Sequence, residues 1–191
     1  MIPLRDALAR IAADLDAEGK PWALVGALAV AARAEARATL DVDVAVAVES
    51  PEESRALVAS FRERGYRWER DLGSSMTTLS VPGGGEPRWR LDLLFGLAGI
   101  EDAVARAAER LEVLPGLEMP VARSGDLIGL KLLAAGQPGR EHDWRDLRAL
   151  VATATAEDLE GARRSVTLLV ARGLAHEGIL EARLRELVTR S

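Results

Sequence analysis

The chain has 191 residues, 48% of them hydrophobic and 29% charged, which suffices for one generous domain or two small ones with a well-filled core. Its net charge of −5 argues against a broad nucleic-acid-binding surface, and the lack of cysteine excludes disulfides, thiolate zinc sites and cysteine nucleophiles. The N-terminal stretch is charged throughout and no apolar run approaches about 18 residues, so we expect a cytoplasmic protein without a signal peptide or membrane span.

The first 65 residues alternate between predicted helices and strands. Periodicity and end signals predict helices over 3–18, 27–36 and 50–65 and strands over 21–25 and 38–48. The third helix has the clearest start, because Ser50 can cap it and Pro51 suits its first position. Gly26 stands directly between the first strand and the second helix.

The remaining chain divides into a part with strands and a part without them. The patterns predict a short edge strand over 66–70, a hairpin of strands 75–82 and 88–95 around "GGGEP", a helix over 101–112 and a Pro/Gly-rich loop over 115–120. Four amphipathic helical segments follow from Ser124 onward. We therefore expect an α/β (α+β) part over 1–122, with a small mixed sheet flanked by helices, and a C-terminal helical bundle over 123–191.

Two aspartates begin the strand "DVDVAVAV". Asp41 and Asp43 fall on one face, while Val42, Val44 and Val46 fall on the other. Strands disfavour aspartate, and two like charges on one face repel each other unless a cation neutralises them. Their spacing and hard oxygen ligands favour a divalent cation such as Mg²⁺, whereas the simpler alternative is that they cap a solvent-facing strand end.

A third carboxylate and a glycine support the cation interpretation. Asp92 lies in the apolar strand "RWRLDLLF", where it needs a cation or an ion-pair partner; the alternative partner is Arg88 or Arg90 on the same face. Gly26, between strand and helix, lets a phosphate approach the backbone at a helix N-terminus.

Together these features resemble the DNA polymerase beta-type nucleotidyltransferase superfamily, and within it the minimal bacterial enzymes grouped with AbiEii/AbiGii-type toxins. The likeness spans about residues 20–152. The residues that carry it are Gly26, Ala27, Arg37, Thr39, Asp41, Asp43 and Asp92, followed by Lys131, Arg140, Asp143 and Asp146. The family commonly has Gly or Ser where this chain has Ala27, so a phosphate would meet only a backbone N–H there.

The resemblance implies a nucleotidyltransferase fold and transfer of a nucleoside monophosphate from an NTP, with Mg²⁺ or Mn²⁺, to a hydroxyl of RNA, protein or a small molecule. It implies that Asp41, Asp43 and Asp92 hold metal and that Lys131 is catalytic. The residues that it implies for nucleotide binding are Gly26, Ala27, Arg37, Thr39, Lys131, Asp143 and Asp146. It also implies a possible antitoxin partner. The alternatives are an aminoglycoside-type enzyme and a catalytically weakened nucleotide-binding or interaction protein.

Residues of the helical part leave two readings open. Lys131 lies in an apolar helix, where burial requires a partner. The resemblance implies that it reaches phosphates or the Asp143/Asp146 pair, and the alternative is an amine that extends to solvent from the helix edge. Asp143 and Asp146 share a helix face, and they also suit the first turn of any helix.

Overall fold

The computed structural model describes residues 2–35, 39–83, 89–97, 99–176 and 178–190. Its helices are α1 (Leu4–Ala17), α2 (Gly26–Arg33), α3 (Pro51–Glu63), α4 (Glu101–Arg106), α5 (Ser124–Ala134), α6 (Glu141–Thr153), α7 (Ala156–Ala171) and α8 (Ile179–Arg190). Its strands are β1 (Trp22–Val25), β2 (Asp41–Val46), β3 (Arg67–Leu72), β4 (Met76–Ser80), β5 (Arg90–Phe95), β6 (Glu109–Leu114) and β7 (Leu117–Val121).

The strands form one mixed, seven-stranded sheet in the order β3-β4-β5-β2-β1-β7-β6. β2 lies at its centre, antiparallel to β1 and parallel to β5. The hairpins β3–β4 and β6–β7 form its two edges, and β7 joins β1 in parallel. The expected mixed α/β fold is confirmed, with a larger sheet than the sequence predicts.

Alternation along β2 and β5 gives the centre of the sheet two different faces. Val42 and Val44 on β2 and Leu91 and Leu93 on β5 are fully buried. The residues between them point the other way and are only partly buried at positions 41, 43 and 92. One face of these strands therefore forms the core, and the other carries the carboxylates.

Several predicted elements agree closely with the structure. Ser50 caps α3 as expected, since its hydroxyl accepts a hydrogen bond from the Glu53 N–H at 3.2 Å. β3 is an edge strand, and β4 and β5 form the predicted antiparallel pair. Residues 84–88, which include most of the predicted "GGGEP" loop, lie outside the described residues.

The region between residues 101 and 121 departs from the prediction. The helix ends at Arg106 instead of 112, and the expected loop over 115–120 lies within the β6–β7 hairpin, which turns at Pro115 and Gly116. A backbone hydrogen bond from Ala122 N–H to the Leu24 carbonyl, 3.0 Å long, fixes β7 beside β1. This pairing is between residues far apart in sequence, so local patterns did not reveal it.

Four helices follow the last strand, as the sequence predicts. α5 packs against α7 so closely that Gly125 and Gly129 have no room for a Cβ. A Cβ on Gly125 would lie 2.6 Å from the Asp158 carbonyl oxygen. α5 and α6 both contact α2 and thereby join the helical part to the sheet. Within the described ranges, no helix is long and apolar enough to cross a membrane.

Candidate active site

The three carboxylates lie on one face of the sheet, in the strands that the sequence indicates. Asp43 on β2 and Asp92 on β5 are direct partners across the parallel pair. Thr78 on β4 lies opposite Asp92, and Arg70 on β3 lies opposite Thr78. We call these four aligned residues, Arg70, Thr78, Asp92 and Asp43, the carboxylate row. It ends beside β1, where Val25 is the partner of Asp43.

Gly26, the first residue of α2, lies against Asp43 of the carboxylate row. Its φ of +63° favours glycine, and a Cβ at this position would lie 1.9 Å from Oδ2 of Asp43. The first residue of α2 is therefore in contact with the Asp43 carboxylate. The N-terminus of α2, which has no side-chain cap among the described residues, thus meets a half-buried carboxylate.

Asp41 is engaged by an arginine. Arg90 donates from Nε to Oδ1 of Asp41 at 2.6 Å, and its Nη2 lies at the same distance from that oxygen. Hydrogen bonding to Asp41 raises the pKa of the Arg90 guanidinium above its usual range. The sequence-based alternative paired Arg90 or Arg88 with Asp92; Arg90 instead pairs with Asp41, its partner in the β2–β5 register, and Arg88 lies outside the described residues.

Asp92 has a hydroxyl partner. The Thr78 hydroxyl donates to Oδ1 of Asp92 at 2.6 Å, and Nε of Arg70 donates to that hydroxyl oxygen at 3.2 Å. Thr78 is 1% exposed, whereas Arg70 is exposed. The carboxylate row is therefore connected by hydrogen bonds from the sheet edge to Asp92.

The other predicted nucleotide-binding positions near β2 differ in what the structure says of them. The Thr39 hydroxyl accepts a hydrogen bond from the Asp41 N–H at 3.1 Å and so shapes the start of the strand. The Ala27 side chain is buried, as the second residue of α2. Arg37 lies outside the described residues.

Lys131 is buried and paired with both aspartates of α6. Its Nζ donates to Oδ1 of Asp143 and to Oδ2 of Asp146, both at 2.7 Å. Asp143 is 0% exposed and Asp146 is 3% exposed, and Arg140 Nε lies 2.6 Å from the second oxygen of Asp143. Of the sequence-based readings, the pairing with Asp143 and Asp146 is the one observed, and the solvent-directed lysine is wrong.

The donor set suits a hard cation, although its geometry is not that of a preformed site. Among the described residues, no group of three or more His, Cys, Asp or Glu side chains is arranged to hold a metal ion. Asp43 and Asp92 supply carboxylate oxygens from adjacent strands, as Mg²⁺ prefers, while Asp41 is turned toward Arg90.

The opposite face of the sheet carries a separate cavity of about 630 Å³ between α3 and the β3–β4 hairpin. Its lining includes Arg55, Trp68, Asp71 and Phe95 and none of the three carboxylates. Trp68 is 52% exposed there, whereas Trp22 and Trp89 are buried in the core.

Sequence reasoning missed Arg70 and Thr78. A threonine within the apolar strand "SMTTLSVP" was the feature that could have indicated Thr78. Because the strand has two adjacent threonines, however, the sequence does not show which of them faces Asp92. The answer depends on the register of β4 against β5, which a loop of several residues does not determine.

Comparisons with known proteins bear on the family and the fold of the chain. The family model described as nucleotidyl transferase AbiEii toxin, Type IV TA system, matches residues 6–187. Among curated proteins, no sequence matches the chain.

Solved structures show the same fold at low identity. An antigenic nucleotidyltransferase-like protein from Paracoccidioides brasiliensis is 18% identical with a TM-score of 0.59, covering 95% of this chain and 92% of that one. The antibiotic-resistance factor ANT(2'')-Ia is 18% identical with a TM-score of 0.57, covering 88% and 95%. The lincosamide antibiotic adenylyltransferase LnuA, bound to lincomycin, is 13% identical with a TM-score of 0.52, covering 78% and 97%.

Proposed function

The chain belongs to the AbiEii nucleotidyl transferase family, and from this premise we propose that it moves a nucleoside monophosphate from an NTP to an acceptor hydroxyl in a Mg²⁺- or Mn²⁺-dependent reaction. The observation that carries the proposal is the contact of Gly26 with Asp43, whose partner across the sheet is Asp92. It joins a helix N-terminus suited to phosphate with two carboxylates suited to a cation.

Asp41, Asp43 and Asp92 would hold the metal. When bound, the metal would supply positive charge against the triphosphate and the attacking and leaving oxygens. Asp92 has Oδ1 occupied by Thr78, so its Oδ2 is the atom that accepts the proton of the acceptor hydroxyl. The acceptor oxygen then bonds to the α-phosphorus, the bond from that phosphorus to the bridging oxygen breaks, and pyrophosphate leaves.

The backbone N–H groups of Gly26 and Ala27 would bind the β- and γ-phosphates at the start of α2. Arg37 and Thr39, shortly before β2, are proposed to complete the nucleotide site, Thr39 through its hydrogen bond to the Asp41 backbone. Catalysis in such a site depends mainly on orientation and electrostatic stabilisation.

Lys131, Asp143 and Asp146 take a different role in this proposal. Their charges are buried and paired with each other, so we assign them to the packing of α5 against α6 instead of to phosphate binding. Because both helices contact α2, the cluster would support the phosphate-binding helix. On this view residues 1–122 form the catalytic core and 123–191 support it.

The family description supports a toxin whose partner is an antitoxin. For such a toxin we propose RNA or a protein as the acceptor. The likeness to antibiotic-modifying proteins supports a small-molecule acceptor such as an aminoglycoside. The net charge of −5 modestly favours the cationic small molecule over RNA.

Calorimetry with ATP, GTP, CTP and UTP in the presence of Mg²⁺ tests the site. We expect metal-dependent binding of at least one nucleotide, lost in Asp41→Asn and Asp43→Asn. Asp71→Asn is the matched control, since Asp71 lies in the same sheet but contacts Thr77 on the other face. If no nucleotide binds, the enzyme proposal is wrong. Transfer of labelled nucleotide to RNA, protein and aminoglycoside mixtures then identifies the acceptor.

A second candidate function is nucleotide binding without transfer. Two observations favour it: Ala27 cannot offer a hydroxyl to phosphate, and Arg90 already neutralises Asp41. Metal-dependent nucleotide binding without transfer to any acceptor would support this alternative, whereas transfer lost in Asp92→Asn would exclude it.

A further inference from the structure

We propose that Thr78 and Arg70 are positioning residues that fix the Asp92 carboxylate for its role in the transfer reaction. The inference rests on the proposed function. It concerns two residues that touch neither phosphate nor acceptor in that proposal and act only through Asp92.

The hydrogen bonds between Arg70, Thr78 and Asp92 have only one possible direction. A guanidinium can only donate and an ionised carboxylate can only accept, so the Thr78 hydroxyl must receive from Arg70 and give its proton to Asp92. Thr78 is 1% exposed, so water does not compete strongly for this hydroxyl. The Asp92 side chain is thereby held by Oδ1, and Oδ2 is left for the site.

A β-bulge places Arg70 on the carboxylate face. Trp68 pairs with Leu79 and Arg70 with Thr78, so Glu69 is the additional residue on β3. In a regular strand Trp68 and Arg70 would share a face; the bulge sends Trp68 to the cavity beside α3 and Arg70 to Thr78. Bulges commonly redirect side chains next to active sites.

The adjacent residue supplies a matched comparison. Thr77 is also buried on β4, and its hydroxyl also donates to a carboxylate, Oδ1 of Asp71 at 2.7 Å. It lies on the opposite face, beside the cavity under α3. Thr77 and Thr78 thus share residue type, strand, burial and hydrogen-bond pattern and differ in which carboxylate they hold.

The experiment compares Thr78→Val, Thr78→Ser, Arg70→Met and the control Thr77→Val in the full chain. Valine keeps the shape and β-propensity of threonine and removes the hydroxyl. Mn²⁺ affinity is measured by electron paramagnetic resonance without nucleotide. The kcat and the nucleotide KM are measured with the acceptor that the transfer assay identifies. Loss of a residue that supports a metal ligand typically costs about 10–100-fold.

We expect Thr78→Val to weaken Mn²⁺ binding and to lower kcat by about 10–100-fold, with little change in the nucleotide KM. Thr78→Ser should restore both, because serine returns the hydroxyl. Arg70→Met should lose less, since Thr78 still donates to Asp92. Because Arg70 is exposed, we expect this variant to fold.

Three results would overturn the inference: folded Thr78→Val with wild-type affinity and kcat, an equal loss in Thr77→Val, or no Mn²⁺ binding by the wild-type protein. Full activity in Arg70→Met would show that Arg70 does not help to position Asp92. If the wild type transfers nucleotide and Thr78→Val does so equally, only this inference fails. If the wild type transfers nothing yet binds Mn²⁺ through a Thr78-dependent site, the transferase proposal fails, and Thr78 positions Asp92 for metal binding alone.

Discussion

Replacing Lys131 by methionine should destabilise the protein far more than the same change at Lys20. These two are the only lysines of the chain, and each donates to carboxylate at 2.7–2.8 Å. They differ in burial: the Lys131 side chain is 10% exposed, whereas Lys20 and its partner Glu53 are 27% and 36% exposed. Methionine keeps most of the apolar stem in both cases.

The expected magnitude follows from the burial of the partners. Asp143 and Asp146 both lose their ammonium partner in Lys131→Met while remaining almost fully buried. Removing one member of a buried ion pair costs about 3–5 kcal/mol, whereas an exposed pair contributes about 0–1 kcal/mol. At about 2–4 °C per kcal/mol for a chain of this size, Lys131→Met should lower Tm by about 6–20 °C.

Urea unfolding followed by circular dichroism measures this difference. The slope of the free energy with urea must stay equal among the variants for the comparison to hold. Raising the salt concentration should reduce the small effect of Lys20→Met and leave that of Lys131→Met nearly unchanged. A free energy of unfolding for Lys131→Met within about 1 kcal/mol of the wild type would refute the buried cluster.

Three further predictions concern the site and its surroundings. Gly26→Ala should weaken Mn²⁺ binding about tenfold or more, because the added Cβ collides with Asp43. The control Gly19→Ala, at a similar positive φ but in open space, should have only the backbone cost of about 1–2 kcal/mol. Equal Mn²⁺ affinity in the two variants would contradict this prediction. Arg90→Gln should tighten Mn²⁺ binding by up to about fivefold in the same assay, since it releases Asp41 from a half-exposed ion pair; weaker binding would show that Arg90 assists the cation. Burial raises the pKa of Asp126 above its ordinary 3.8, so the folded protein loses stability as the pH rises from 3.8 through the raised pKa. Asp126→Asn, which can still accept a hydrogen bond from Ser165, should therefore gain more stability at pH 7 than at pH 4 in urea unfolding. An equal change in stability at the two pH values would contradict this.

The carboxylate face was predictable because it depends only on a period of two. Val42 and Val44 had to face the core, so Asp41 and Asp43 had to face away, and the same argument placed Asp92 between Leu91 and Leu93. The pairing of Lys131 with Asp143 and Asp146 was only one of the possibilities that the sequence left open, because a lone lysine in an apolar helix needs a partner only if it is buried.

The parts that were not predictable depend on register and long-range pairing. Arg90 pairs with Asp41 instead of Asp92 because of how β5 aligns with β2, and Arg70 reaches Thr78 because of a bulge after Trp68. The β6–β7 hairpin was missed because its pairing with β1 joins residues about a hundred positions apart in the chain.

The alignment of Asp43 with Asp92 also affects how preparations of this protein will behave. A slip of β5 by one residue would move Asp92 into the core and expose Leu91 and Leu93, so the misaligned sheet would not be stable. Folded molecules therefore do not carry β5 displaced by one residue. The specific activity of a preparation should then be proportional to its fraction of folded protein, with no folded but inactive form arising from such a slip.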